Sequence, residues 1–159
     1  RTVWSREAHD AIVRKVRKAE IDVVHFHNTL PLVSPAAYHA ARKSGAAVVQ
    51  SLHNYRLHCP GALYFRDGQV CELCLGKTFA WPGVRHGCYR GSKAATAAVA
   101  TMTASHRVLG TWTRSIDRYI AMTDFAHAKF VEGGLPAEKL AMTPHFLADD
   151  PGAGAGEGG

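Results

Sequence analysis

Two short, largely apolar runs, each leading into a polar loop that carries histidine, constrain the fold of this chain more than any other feature. Val23 to Phe26 and Ala46 to Leu52 have strand length and the composition of strands covered on both faces. Ser34 and Pro35 are typical of a helix start between them, and Gly45 ends that helix. A strand, a helix and a strand of these lengths predict a βαβ unit with parallel strands.

The rest of the chain continues the alternation after one long insert. Residues 54–91 are rich in Gly, Cys and aromatic side chains, and we predict an irregular insert of a kind that is usually functional. The other predicted elements are a helix from a Ser5 cap to about Ala19, a long helix from Ser92 to about Trp112, a strand from Asp117 to Met122, a helix from Thr123 to Gly133, and a short strand from Leu140 to Thr143. This order predicts an open parallel α/β sheet, Rossmann-like, with helices on both faces.

Composition sets bounds on the class of protein. With 159 residues, 47% hydrophobic and 20% charged, the chain can bury the core of one domain. Its formal charge of +6 suits an anionic partner such as a nucleotide phosphate, a nucleic acid or an acidic membrane surface, or serves solubility alone. No apolar run reaches the roughly 20 residues that span a bilayer, and no glycine-rich phosphate-loop motif is present.

Histidines mark the ends of the two strands. His25 and His27 are two residues apart and therefore share one strand face, and His53 follows the next strand. The carboxyl ends of parallel strands usually carry the ligand site, where an imidazole can bind a hydroxyl or phosphate or transfer a proton, although each could also be structural. Four other histidines fall on predicted helices, and we expect them to face solvent: His9, His39, His106 and His127.

All four cysteines lie in the insert, as Cys59, Cys71, Cys74 and Cys88. Two thiolates spaced Cys-x-x-Cys are suited to form half of a tetrahedral zinc site, which the outer pair could complete as a structural metal centre. His58 and His86 are substitute ligands. Disulfides, unpaired thiols and a redox pair stay open as alternatives.

The chain resembles, over about Ser5 to Asp150, the N-terminal domain of family-4-type glycosyltransferases, which have the GT-B fold, in the branch with a cysteine-rich insert. The segments that carry the resemblance are Asp22-Val-Val-His-Phe-His-Asn-Thr29, Ser51-Leu-His-Asn-Tyr-Arg56, Cys59-Pro-Gly61, Cys88-Tyr-Arg-Gly-Ser92, Ile116 to Phe130, Gly133 to Leu140, and Thr143-Pro-His-Phe-Leu147. The resemblance implies transfer of a hexose from a nucleotide sugar to a glycan or lipid-linked acceptor, with retained anomeric configuration and no catalytic metal.

The resemblance also implies roles for individual residues. His53 matches the active-site histidine of the family. The acceptor side of the cleft is expected to include His27, Asn28, Asn54, Arg56 and Thr123. Residues 1–147 would form a partial acceptor-side domain, and 148–159 a Gly-rich interdomain linker.

Parts of the family pattern are missing from the sequence. Its first strand and Gly-rich acceptor loop should precede Arg1, and its donor-binding motifs should follow Gly159, so we expect a fragment that is inactive by itself. We expect a cytoplasmic protein, with a peripheral contact at the inner face of the membrane through a basic first helix. The alternative is that this helix face is only solvated. The basic residues of that helix are Arg6, Arg14, Lys15, Arg17 and Lys18.

A second class of function is a zinc-stabilised basic module that binds nucleic acid. The Lys and Arg residues are spread over several predicted helices, and no interleaved aromatic and basic motif appears. The sequence therefore favours the glycosyltransferase interpretation, and we do not expect nucleic acid as a partner.

Overall fold

The structure is a computed structural model that describes residues 2–29, 33–146, 149 and 152. The helices are α1 (Arg6–Lys18), α2 (Ala36–Lys43), α3 (Trp81–His86), α4 (Lys93–Val108), α5 (Thr111–Arg114) and α6 (Asp124–Glu132), with a 3-10 turn at Ala137–Lys139. The strands are β1 (Val23–His27), β2 (Ala47–Leu52), β3 (Phe65–Arg66), β4 (Gln69–Val70), β5 (Arg118–Ala121) and β6 (Leu140–Met142). Most of the predicted linker, 148–159, lies outside the described residues.

The main sheet has four parallel strands in the order β1-β2-β5-β6, which confirms an open parallel α/β sheet. A separate antiparallel hairpin joins β3 to β4. The prediction that β1 is covered on both faces is wrong. Within the described sheet β1 is an edge strand, so only Phe26 of its five residues is buried and Val23 is 53% exposed.

Hydroxyl side chains begin three of the helices as predicted. Ser5, Ser92 and Thr123 each accept a hydrogen bond from the amide three residues ahead. Ser34 does not cap α2, contrary to prediction. Its hydroxyl instead accepts from the Ser5 amide at 2.9 Å and thereby ties the start of α1 to the approach to α2.

The predicted long helix after residue 92 is two helices. Gly110 has φ +69° and lies between α4 and α5, where its left-handed backbone ends the first helix. The break lets Trp112 turn into the core, where its indole donates to the Thr103 carbonyl at 3.1 Å. The insert is also more regular than predicted, because Asp67-Gly68 forms the turn of the small hairpin and α3 follows it.

The hydrophobic core joins β1, β2 and β5 to helices α2, α4, α5 and α6. Its largest buried members are Phe26, Tyr38, Met102, Trp112, Tyr119 and Phe130. His106 belongs to this interior, so the expectation that it faces solvent is wrong. Its ring nitrogens bond to Thr111 Oγ1 and the Val3 carbonyl, both at 2.8 Å.

The other helical histidines are also less exposed than expected, since His9, His39 and His127 are half-buried. The Nε2 atom of His39 lies 2.9 Å from the Thr111 hydroxyl oxygen, which also bonds to His106. The basic side chains predicted to project from α1 are exposed. Among the described residues, no helix combines the length and the apolar character needed to cross a membrane.

Candidate functional site at the carboxyl edge of the sheet

The parallel sheet brings the polar ends of its strands to one edge. His27 at the end of β1 is in register with Ser51 of β2, so the residues that follow both strands are neighbours. Strand β5 pairs with the other side of β2 and ends at Ala121, two residues before Thr123. Three loops therefore open at the same edge, as expected for a ligand site in an open α/β sheet.

Two histidines from neighbouring strands form a hydrogen-bonded pair at this edge. The Nδ1 atom of His27 lies 2.9 Å from the Nε2 atom of His53, and the two rings stack with centroids 5.2 Å apart. His25 lies on the same strand face as His27, as the two-residue spacing predicts, with centroids 4.2 Å apart. Its Nε2 atom is 2.9 Å from the Ser51 hydroxyl. The result is a row of three imidazoles across β1 and β2.

Two asparagines form a second link beside the histidine pair. The Asn54 amide donates to the Asn28 side-chain oxygen at 2.9 Å, and the other end of the Asn54 amide accepts from the Arg56 backbone at 3.1 Å. Asn28 has φ +36°, a conformation that asparagine tolerates better than most residues. The loops after β1 and β2 are thus held together by side chains that also present polar groups to solvent.

The remaining predicted residues border the same site. Thr123 caps α6 by accepting from the Ala126 amide at 3.1 Å, and it lines a cavity of about 300 Å³ together with His53 and Asn54. Arg56 lines a narrower cleft of about 40 Å³ with Asn28, His53 and Asn54.

The Arg56 guanidinium is turned toward the insert. It donates to the Pro60 carbonyl at 3.0 Å and lies 5.0 Å from the centre of the Tyr89 ring. Arg56 therefore fixes the border between the site and the insert as well as lining the cleft.

His145 is a site residue that the sequence analysis did not single out. Its ring stacks on His53 with centroids 6.0 Å apart and 12° between the planes, and it lines the 300 Å³ cavity. The signal was present, because His145 follows β6 just as His53 follows β2. The end of the predicted last strand is a fourth carboxyl end of the parallel sheet, and this position indicates a site residue.

Burial and neighbouring histidines lower the pKa of His53 and of His25. Burial lowers the pKa of His53, and the charges that His27 and His145 would carry lower it further. Burial, followed by His27 and His53, likewise lowers the pKa of His25. The His53 imidazole is therefore neutral near pH 7 and can both donate and accept a hydrogen bond.

The four cysteines line a further cavity, which shares no lining residue with the two cavities at the sheet edge. This cysteine cavity has a volume of about 300 Å³ and is also lined by Arg66, Asp67 and His86, but not by His58. All four cysteines are free thiols in the structure. Among the described residues, no group of three or more His, Cys, Asp or Glu side chains already stands in an arrangement that could hold a metal ion.

A redox role for the Cys71-x-x-Cys74 pair is disfavoured by the environment of the second thiol. Burial raises the pKa of Cys74 to about 11, and burial followed by the charge of Cys59 raises the pKa of Cys88. Reactive cysteines instead have a lowered pKa that populates the thiolate.

His58 is not a substitute metal ligand. It is 4% exposed, with its ring 5.4 Å from that of Phe130, and neither ring nitrogen has a hydrogen-bond partner among the described residues. Burial, followed by the charge of Arg107, lowers its pKa to about 4. His58 is therefore a neutral packing residue.

The carboxyl edge offers imidazole, amide, hydroxyl and guanidinium groups around two cavities that share His53 and Asn54 in their walls. Groups of these types are able to exchange hydrogen bonds with hydroxylated or phosphorylated ligands. Searches against protein-family models, curated proteins and solved structures found no match to this chain.

Proposed function

We propose that this chain forms the acceptor side of a retaining glycosyltransferase of the GT-B type, with its sheet as a Rossmann-like half of that fold. The reaction would move a hexose from a nucleotide sugar to a glycan or lipid-linked acceptor. The observation that carries the proposal is the pair of links across β1 and β2, His27 to His53 and Asn28 to Asn54, beside the 300 Å³ cavity.

The chemistry of these groups suits a sugar acceptor. A sugar hydroxyl both donates and accepts hydrogen bonds, and a neutral imidazole or a carboxamide can do the same. His53 and Asn54 border both cavities, so one ligand spanning the edge would meet both residues. A cavity of about 300 Å³ lies at the lower end of the range for small-molecule sites.

In the proposed reaction the acceptor oxygen bonds to the anomeric carbon as the bond from that carbon to the nucleoside diphosphate breaks. The proton of the attacking hydroxyl passes to the departing diphosphate. His53 binds a neighbouring hydroxyl of the acceptor through Nδ1, since Nε2 faces His27. His27 fixes the orientation of His53, and Asn54 and Thr123 position the acceptor. Following the resemblance, the proposal invokes no catalytic metal.

Acceptor binding tests the proposal without requiring turnover. The 159-residue chain would be titrated with methyl hexosides, short oligosaccharides and a polyprenyl-phosphate-linked disaccharide while histidine and amide NMR signals are recorded. We expect saturable shifts at His53 and Asn54 with one of these probes. Loss of one hydrogen bond in His53→Ala should weaken binding about tenfold, whereas His9→Ala on α1 should leave it unchanged.

Two results would overturn the assignment. One is the absence of saturable binding by every sugar probe. The other is salt-dependent retention on single- or double-stranded nucleic acid with no sugar binding, which would favour the basic nucleic-acid module.

A lipid-linked acceptor would bring the protein to a membrane surface, and the exposed basic side chains of α1 offer a peripheral contact for it. Co-sedimentation with vesicles that contain anionic lipid should then fall steeply as salt is raised. Equal sedimentation with neutral vesicles would remove this part of the proposal.

A further inference from the structure

The cysteine insert lacks an apolar core of its own. Its hydrophobic cluster consists of Cys74, Ala80 and Ala100 with Val84 packed against them, and Ala100 belongs to α4. The two strands of its hairpin are only two residues long. Five large apolar side chains of the insert are more than half exposed: Leu63, Phe65, Val70, Leu73 and Trp81. A segment with so little buried apolar surface needs a cross-link to hold one structure.

The backbone brings the cysteine-bearing segments together at two glycines. A Cβ at Gly61 would lie 3.3 Å from the Cys88 carbonyl oxygen and 3.8 Å from the Cys59 sulfur. A Cβ at Gly83 would lie 3.0 Å from Pro60 and 3.4 Å from the Cys74 sulfur. The absence of side chains at these positions lets the segments approach closely, so their thiols line one cavity.

Arg66 adds a cation at the wall of the same cavity. Its guanidinium pairs with the Asp67 carboxylate, and its Nη1 atom lies 3.1 Å from the Nδ1 atom of His86. Four thiolates around a divalent cation carry two net negative charges. A guanidinium in the cavity wall offsets part of that charge, as outer-shell groups do in metal sites.

We propose that Cys59, Cys71, Cys74 and Cys88 bind one structural zinc ion that cross-links the insert. Tetrahedral zinc with sulfur at about 2.3 Å requires sulfur atoms about 3.8 Å apart. The thiols line the cavity wall and do not yet form such a group. Rotation of one cysteine between staggered χ1 rotamers moves its sulfur by about 3 Å, so side-chain rotation can supply much of the convergence.

The arrangement favours one metal over two disulfides because all four thiols face a common cavity and none is paired. A metal would also steady the neighbouring sheet-edge site. The Cys59 amide donates to the Tyr55 carbonyl at 2.8 Å, and the Tyr55 amide donates to the Ala62 carbonyl at 3.0 Å. Tyr55 follows His53 by two residues, so the first cysteine of the insert is bonded to the loop of the candidate site.

Metal analysis of the purified chain tests the proposal directly. We expect about one zinc per chain in the wild type and in His86→Ala, and a loss of most of it in Cys74→Ser and Cys88→Ser. Under about 0.2 zinc per chain in the wild type, stoichiometric iron in its place, or a mass that shows disulfides would overturn it. Full zinc loss in His86→Ala would also overturn the four-cysteine ligand set.

Measurements on the wild-type chain keep the test valid if the serine variants fail to fold. After chelation and addition of Co²⁺, we expect thiolate-to-cobalt charge-transfer bands and the visible bands of tetrahedral cobalt. Chelation should also speed tryptic cleavage at the exposed Lys77 and Arg85, while sites in α1 keep their rate. Absence of thiolate–cobalt bands, or identical cleavage with and without chelator, would count against the site. None of these measurements depends on sugar binding.

Discussion

The Nδ1 atom of His27 and the Nε2 atom of His53 face each other at 2.9 Å across two parallel strands. The residues are 26 positions apart in the sequence, and the register of β1 on β2 places them side by side. One ring nitrogen donates this hydrogen bond and the other accepts it. Burial lowers the pKa of His53, and a charge on His27 lowers it further. The pair is the structural basis of the proposed acceptor site.

Removal of His27 should raise the pKa of His53. Burial is the main cause of the lowered His53 pKa and would remain in His27→Ala, but the repulsion from His27 would be gone. Histidine NMR titration of wild type and variant measures the change. His86→Ala, in the insert, serves as the control and should leave the pKa of His53 unchanged. An unchanged His53 pKa in His27→Ala would show that the pair is not coupled in solution.

Gly133 should not tolerate alanine. Its φ of −76° suits any residue, but a Cβ there would lie 2.0 Å from the Cε1 atom of His58, whose ring is buried against Phe130. We expect Gly133→Ala to lower the free energy of unfolding by about 1–3 kcal/mol through overpacking. Urea denaturation of the wild type and the variant measures this difference in the free energy of unfolding.

The same substitution in a His58→Ala background controls for effects that do not involve the ring. There the added methyl group enters space that the ring has left, so the cost should largely disappear. Equal costs in both backgrounds would contradict the contact.

Stability should fall between pH 6.5 and pH 4 because of His58. Its folded-state pKa of about 4 is below the ordinary value of 6.5, so the unfolded chain binds the proton first as the pH falls. The contribution is fully present above pH 6.5 and is lost as the pH approaches 4, by about 3 kcal/mol for this shift.

Urea denaturation across this pH range measures the effect, with His58→Leu as the matched variant. We expect a shallower pH dependence in His58→Leu, since the titrating group is absent. The same slope in both proteins would assign the pH dependence to other groups.

Thr123 should contribute to stability through its role as a helix cap. Thr123→Ala removes the oxygen that accepts from the Ala126 amide and should cost about 1 kcal/mol. Thr123→Ser keeps the oxygen and should stay near wild type, as measured by thermal denaturation. If Ala and Ser variants were equally stable, the hydroxyl would not be acting as the cap.

The order of elements could be read from the sequence because its signals are local. Apolar runs of strand length gave β1, β2 and β5 within one or two residues, and Ser5, Ser92 and Thr123 marked helix starts. Local signals failed where a partner distant in sequence competes. The Ser34 hydroxyl accepts a hydrogen bond from the Ser5 amide and therefore does not cap α2. His106 is buried because its ring nitrogens bond to Thr111 and Val3.

The sequence by itself determined that His25 and His27 share one strand face and that the polar ends of the parallel strands lie at one edge of the sheet, because strand periodicity and parallel pairing are encoded locally. Only the tertiary structure decided how they meet. Strand register places His27 against His53, and the end of β6 adds His145. Close packing of other segments of the insert against Gly61 and Gly83 places four cysteines around one cavity. These contacts depend on distances between segments far apart in the chain, which local patterns of residues do not encode.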